Sequence, residues 1–346
     1  MSVPTSGEYD DEWSGQTGNG VQSQYPAKRR RTESYGLSTQ EIGLMRDGGE
    51  PGVPRFIGSG SGIHFIRTVY DALARSVGGG PARSKVGMST SQLVPGEDDQ
   101  LLEHAPGGFG TPGTRARAPF WKQSEIIQDV EMRPQNISFD NLVDYTRSYF
   151  DNWHPAFPFL HGPEVLEIFE QVGSQSISSL GEADATIVRA IVSISLADSR
   201  QLSIRQNAIP AELVFLSQED VASRLVFVVG CPASLKNLQA AVAAMLFLIS
   251  LLKFNQASRL SGVIVRMAFH LGLHRCPYRY PNFSPHEATM RKRLWWSLYC
   301  LDRMVCQSLG LPLDIRDDDV DVCYTDIERH KIIPGVRSVR DIPEGK

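Results

Sequence analysis

The stretch Ser284–Asp321, SPHEATMRKRLWWSLYCLDRMVCQSLGLPLDIRDDDVD, carries a start signal, a long amphipathic body and a stop signal that agree with one another. Ser284 suits the N-cap and Pro285 the first helical position, and Glu287 three residues on completes a capping box. Leu294, Leu298, Leu301 and Val305 recur at helical spacing and form one apolar face, which Trp295, Tyr299 and Cys306 widen. Arg291, Lys292 and Arg293 precede the widest part, and Asp302 and Arg303 interrupt it. Gly310 followed by Pro312 is a helix stop. The spacing predicts a helix of roughly six or seven turns, buried against several neighbours.

The same period recurs upstream. Leu142, Tyr145, Tyr149 and Phe150 predict a helix closed by Asn152-Trp153-His154-Pro155, with Phe157, Phe159 and Leu160 packing beyond it. Ala185–Ala197, Ala211–Val229, Leu235–Phe254 and Ser258–Leu271 read as further helices, with Gly272 placed for a left-handed cap. Leu238, Val242, Met245, Leu246, Ile249 and Leu252 make the Leu235–Phe254 helix apolar nearly all round, hence central. No run alternates as a half-buried strand does. The predicted class is all-α, built from antiparallel helix pairs joined by short loops.

Two linked segments then match a known pattern. One is Met267-Ala268-Phe269-His270-Leu271-Gly272-Leu273-His274-Arg275. The other runs from Arg293 through Leu294-Trp295-Trp296, Tyr299, Leu301-Asp302-Arg303, Leu309-Gly310 and Pro312 to Asp321. Together they resemble the middle regulatory domain of fungal zinc-cluster transcription factors of the xylanolytic-activator type. The resemblance covers roughly residues 140–325, and more loosely Phe56 to Arg75. It implies transcription regulation in the nucleus, association with DNA, contact with the transcription machinery or a related factor, and a small-molecule effector. Zinc is implied by the family only. Its six-cysteine DNA-reading module has no counterpart here, because no cysteine precedes Cys231. Members also continue beyond the acidic segment, so the regulatory domain is expected to be incomplete at its C-terminal end, with its last faces exposed.

Composition bounds the rest. The chain has 346 residues, a net charge of −4 and five scattered cysteines, which points to a reducing compartment and against a generally basic nucleic-acid binder. The apolar run Leu238–Leu252 is too short to span a bilayer. Residues 1–55 are rich in Gly, Ser, Gln and acidic side chains and are expected to be disordered. Within them, Lys28-Arg29-Arg30-Arg31 is a candidate nuclear-import signal or phosphate contact; read blandly, it is a solvated charge run. Residues 56–76 are expected to hold a short helix, Ile63–Ala74, with Phe65, Ile66, Val69, Tyr70 and Leu73 inward. A linker over 77–120, the regulatory domain over 121–330 and a polar tail over 331–346 complete the division.

Several patterns that could carry chemistry have plainer readings. Gly58-Ser59-Gly60-Ser61-Gly62 lacks the Lys-Ser/Thr of a phosphate-binding loop and reads as a turn. His154 and His161, beside aromatics and prolines, read as hydrogen-bonded corner residues. His270 and His274 lack a following Glu, and Gly272 ends the helix between them. Asp317, Asp318, Asp319 and Asp321 lack the glycine and terminal Glu of a calcium loop and are expected to cap a helix or pair with Arg303 or Arg316. No nucleophile elbow or C-x-x-C occurs. The expectation is therefore no enzyme, no catalytic residue, no metal or cofactor held by this chain, and no membrane. The function expected is regulatory: effector sensing in a pocket near Trp295, Tyr299 and His274, with weak, salt-sensitive DNA contact through Lys28–Arg31. The alternative is a non-DNA-binding protein that pairs with and inhibits a full-length relative.

Overall fold

The structure, a computed structural model, describes residues 44–47, 54–62, 64–65, 69, 120–127, 137–202, 207–324 and 330. The Lys28–Arg31 cluster, most of the 77–120 linker and the 331–346 tail lie outside the described residues. Seven α-helices account for most of what is described, and the class is all-α. In chain order they are α1 (Phe139–Ser148), α2 (Gly162–Ser174), α3 (Glu182–Gln201), α4 (Gln218–Gly230), α5 (Leu235–Ser250), α6 (Phe254–His270) and α7 (Pro285–Leu309).

Serine hydroxyls start four of these helices. Ser138, Ser217, Ser234 and Ser284 accept from the backbone N–H three residues on, at 3.2, 3.3, 3.1 and 3.1 Å. Each such cap satisfies a donor that the helix cannot, a contribution of about 1 kcal/mol. The Glu287 carboxylate turns forward to Arg291 at 3.1 Å, so the capping box expected at α7 is formed by Ser284 alone.

Helix α5 is the axis of the core. Every residue from Leu238 to Ser250 is buried, as its all-round apolar pattern requires. Ala240, Ala241, Ala243 and Ala244 let neighbouring backbones approach closely, and α3 packs along it. The buried serines of α3 hold irregular backbone in place. Ser195 Oγ accepts from the Tyr149 N–H at 2.9 Å, fixing the π-helical turn Tyr149–Trp153 that follows α1. Ser193 Oγ accepts from the Phe215 N–H at 3.0 Å.

That second bond explains a correction. Ala211–Val229 is not one helix: a 3-10 turn over Ala211–Leu213 is followed by extended backbone, and α4 starts only after Ser217. Phe215 is fully buried against Phe247, with ring centroids 5.4 Å apart, and a continuous helix would carry it off that contact. Leu252 is a second correction. Helix α5 stops at Ser250, Leu252 takes φ +58° and its side chain is exposed. A third concerns Phe65 and Val69, expected inward: they are 68% and 39% exposed. Ile66, Tyr70 and Leu73 lie outside the described residues.

Four short strands complete the description. β1 (Leu44–Asp47) and β2 (Pro54–Ile57) form an antiparallel hairpin, and β3 (Ile126–Ile127) pairs in parallel with β4 (Ile209–Pro210). Arg200 reinforces the second pair by binding Glu125 and the Phe120 carbonyl while its guanidinium lies 5.0 Å from the Trp121 ring centroid. Among the described residues, no helix is long and apolar enough to cross a membrane.

The two Leu-Gly-Leu sequences are one device used twice. At the end of α6, Gly272 has φ +69°, its N–H donates to the Phe269 carbonyl, and the Leu273 N–H donates to that of Ala268. At the end of α7, Gly310 has φ +67°, with Gly310 donating to Gln307 and Leu311 to Cys306. Both are Schellman motifs, which need the left-handed residue that glycine supplies without strain. The α7 end has an additional cover. The Gly58 N–H donates to the Leu309 carbonyl at 3.0 Å, and the Ser61 hydroxyl to that of Ser308 at 2.6 Å. The glycine-rich loop is thus a backbone cap on α7.

Candidate effector cleft

Successive residues on a helix point about 100° apart, so three adjacent cations cannot share one partner surface. In α7, Arg291, Lys292 and Arg293 each donate to a different backbone carbonyl. Arg291 reaches Leu271 at 2.9 Å, at the end of α6, and lies over the Phe283 ring. Lys292, only 4% exposed, reaches Tyr324 at 3.1 Å. Arg293 reaches Leu160 at 3.1 Å, the segment leading into α2. Burial lowers the Arg293 pKa from its ordinary value. The cationic run is a three-way brace.

One turn later the tryptophans diverge. Trp295 is fully buried, with ring centroids 6.0 Å from Phe269 and 6.4 Å from His274, and its Nε1 has no hydrogen-bond partner among the described residues. Burial, with Arg275 nearby, lowers the His274 pKa from its ordinary value. Trp296 faces outward: its Nε1–H donates to the Cys323 carbonyl at 3.2 Å, and its ring stacks on Tyr324 at 4.6 Å between centroids. Tyr299 lies edge-on to Trp296 at 5.1 Å.

Asp302 and Arg303 hold the chain that returns after α7. Asp302 is fully buried; it accepts from the Ser261 hydroxyl of α6 at 3.2 Å, the Ile315 N–H at 3.4 Å and the Cys306 thiol at 3.6 Å. Burial, with Asp314 nearby, raises its pKa, and burial together with Asp302 pushes the Cys306 thiol up to about 12. Arg303 lies 3.3 Å from the Tyr299 ring centroid and donates to the Ile315 carbonyl and to Asp317. The Tyr299 hydroxyl also donates to Asp317, at 2.7 Å. That bond, with Arg303, holds the Asp317 carboxyl below its ordinary value. Asp321 ties the return segment to the α6 end: it accepts from the Cys276 N–H at 2.7 Å and pairs with Arg279 at 2.9 Å, while its own N–H donates to the His274 carbonyl at 3.1 Å.

Between α7 and this segment lies a cleft of ≈ 450 Å³ lined by Trp296, Tyr299, Asp317, Val320, Asp321, Val322, Cys323, Tyr324 and His330. The pocket expected near Trp295, Tyr299 and His274 is therefore divided. Tyr299 lines the cleft, Trp295 is fully buried in the core with half-buried His274 against it, and Trp296 supplies an aromatic wall. Leu271, Gly272, Leu294 and Gly310 shape the helix ends and core. Arg275 is exposed, 4.0 Å from Asp321, and Pro312 is exposed beyond the α7 cap. Sequence reasoning missed Tyr324, Cys323 and His330, which follow the amphipathic helix without a period of their own. It likewise missed that Lys292 is buried, which no pattern of residue types signals.

A family model described as the fungal specific transcription factor domain matches residues 146–343. The chain is 30% identical over 320 residues to a probable transcription factor, FUP6, of Fusarium proliferatum, covering 85% of this chain and 42% of the relative. It is 23% identical over 352 residues to the positive regulator of purine utilization of Emericella nidulans, covering 84% and 31% respectively. With an ABC-transporter-regulating transcription factor of Aspergillus fumigatus it shares 25% identity over 212 residues, 59% of this chain and 23% of the relative. The chain thus spans less than half the length of each of these relatives. No solved structure matches it.

Proposed function

Since the chain belongs to the fungal specific transcription factor domain family, we propose that it supplies the effector-sensing regulatory domain of a nuclear transcription regulator. The cleft carries this reading. Trp296 and Tyr299 of α7 and Tyr324 of the return segment line it with aromatic rings, Asp317, Asp321 and His330 add polar groups, and ≈ 450 Å³ suits a small metabolite with a flat apolar body. Its far wall is the return segment, which Lys292, Trp296, Arg303 and Asp302 hold through polar bonds. A ligand seated there would tighten or release that segment relative to α7, and this is the two-position element that an effector would bias. DNA association and nuclear entry are assigned to the wider protein and to Lys28–Arg31, where binding would be electrostatic and steeply salt-dependent.

The test is a thermal-shift screen of the purified chain against a metabolite panel, followed by calorimetry with Trp296→Ala and Tyr299→Phe. A binder weakened by both changes supports the reading. Binders indifferent to both, or none across the panel, would sink it.

A second reading draws on α4. Val226, Phe227 and Val229 are 73%, 53% and 41% exposed, an apolar face of the kind that contacts protein. It favours pairing with a related factor, and co-purification that Phe227→Asp abolishes would select it.

A further inference from the structure

Among the described residues, two places bring three metal-ligating side chains together: His161 with Glu164 and His286, and Cys276 with Cys323 and His330. In each, the donor atoms lie within 4.8 Å of one another. Their surroundings separate them. Glu164 in the first already has the Lys236 ammonium at 3.8 Å, with His286 at 3.2 Å and His161 at 3.3 Å. The group also stands at the N-terminal ends of α2 and α7, where the helix dipole is positive. A cation entering there meets an ammonium and two positive helix ends, so this cluster is an ion-pair junction.

The second has the opposite character. Cys276 is fully buried, Cys323 is 7% exposed, both carry thiols, and His330 is half-buried. Cys323 Sγ stands 3.1 Å from His330 Nδ1. Two sulfurs and an imidazole nitrogen favour a soft or borderline cation such as Zn²⁺ and give magnesium or calcium none of the oxygen ligands they need. Among the described residues the group supplies three ligands, the number that zinc takes from protein in many of its sites. Cys323 and His330 also line the cleft.

The geometry points to a zinc-class metal site formed by Cys276, Cys323 and His330, separate from any DNA-reading zinc cluster. Binding requires both thiols to release their protons to solvent, so loading strengthens as pH rises. Arg279 opposes it. Its Nη2 stands 2.7 Å from His330 Nε2, and because a guanidinium only donates, Nε2 accepts and the neutral ring carries its proton on Nδ1. A metal at Nδ1 moves that proton to Nε2, and Arg279 must leave this nitrogen while keeping Asp321 through Nε at 2.9 Å. The loaded site ties the turn after α6 to the return segment and so stiffens one wall of the cleft. The assignment does not depend on the effector reading.

The experiment uses the full chain, reduced and stripped by a chelator, titrated anaerobically with Co²⁺ as a spectroscopic probe and then with Zn²⁺. One equivalent of Co²⁺ is expected to produce tetrahedral ligand-field bands and a sulfur-to-cobalt charge-transfer absorption, both bleached by Zn²⁺. Cys276→Ser and Cys323→Ser should each remove about half of the charge-transfer intensity. Each should also weaken Zn²⁺ binding at least about tenfold, as should His330→Gln. Cys300→Ser, which alters an exposed thiol of α7, and His286→Ala should change neither. Arg279→Gln should tighten binding, a gain that misfolding cannot imitate. Circular dichroism of the stripped variants separates lost ligands from lost fold. A spectrum unchanged in both cysteine variants, or Co²⁺ taken up without charge transfer, overturns the assignment. A reduced chain that takes up no metal, and forms a Cys276–Cys323 disulfide once air is admitted as oxidant, also overturns it and gives the pair to redox chemistry instead.

Discussion

Replacing Trp295 and Trp296 in turn by alanine separates two adjacent residues of identical chemistry and opposite placement. Trp295 is fully buried against Phe269 and His274. Removing an indole takes about 150–250 Å² out of the core. At about 25 cal/mol per Å² this is about 4–6 kcal/mol. Residual burial in the unfolded chain trims it to about 3–4. Losing an N–H that has no acceptor returns about 1 kcal/mol, and the cavity left behind costs a similar amount. The net destabilisation expected for Trp295→Ala is about 3–4 kcal/mol, within the range seen for large aromatic deletions. A domain of this size loses about 2–4 °C of Tm per kcal/mol, so the shift is about 6–16 °C. Trp296→Ala loses one bond to Cys323 and the stack on Tyr324, about 1–2 kcal/mol, because its ring is already partly in water. Urea and thermal denaturation followed by circular dichroism measure both. Equal effects, or a larger loss for Trp296→Ala, would refute the assignment of core and cleft faces on α7.

Three further outcomes follow from other parts of the molecule. Gly272→Ala meets no neighbour within 4 Å and should cost only the left-handed strain, about 1–2 kcal/mol, whereas Gly310→Ala also overlaps the Gly58 backbone and should cost more; equal melting shifts would show that the Gly58 loop does not cap α7. Lys292→Met keeps the buried stem but leaves the Tyr324 carbonyl without its ammonium donor, costing about 1–2 kcal/mol, and hydrogen exchange should rise over 320–324 more than elsewhere; a uniform change would count against the brace. Asp302 has its pKa raised in the folded state, chiefly by burial, so the folded chain holds that proton more tightly than the unfolded one. Its contribution to stability is therefore fully present below the ordinary carboxylate range and is lost as pH rises through the raised value. Asp302→Asn should flatten the stability profile across that window, and a profile of unchanged slope would remove Asp302 as its source.

Much of α7 was legible before folding. Ser284, Pro285, the Leu294–Leu298–Leu301–Val305 stripe and Gly310 act on neighbours within a turn, and a local signal of that kind survives in one dimension. The same holds for Gly272 at the end of α6, for the all-round apolar α5 and for the all-α class. Phe215 broke a predicted helix for a reason outside its own segment, the Ser193 hydroxyl and the Phe247 ring, whereas Leu252 did so in a local left-handed turn that closes α5. Periodicity could not say that Arg291, Lys292 and Arg293 reach three separate carbonyls, because each carbonyl is delivered by a different stretch of chain. Nor could it divide Trp295 from Trp296, since which side of a wide apolar face is sealed depends on what packs there. The cleft and the Cys276–Cys323–His330 cluster arise only where the chain returns across α7. Residue order determined the all-α class, α7 with both of its ends, and the family. The partners of the charged and sulfur-bearing side chains were decided by the tertiary structure, because a hydrogen bond or a ligand sphere needs atoms within a few ångströms, and only folding brings them there.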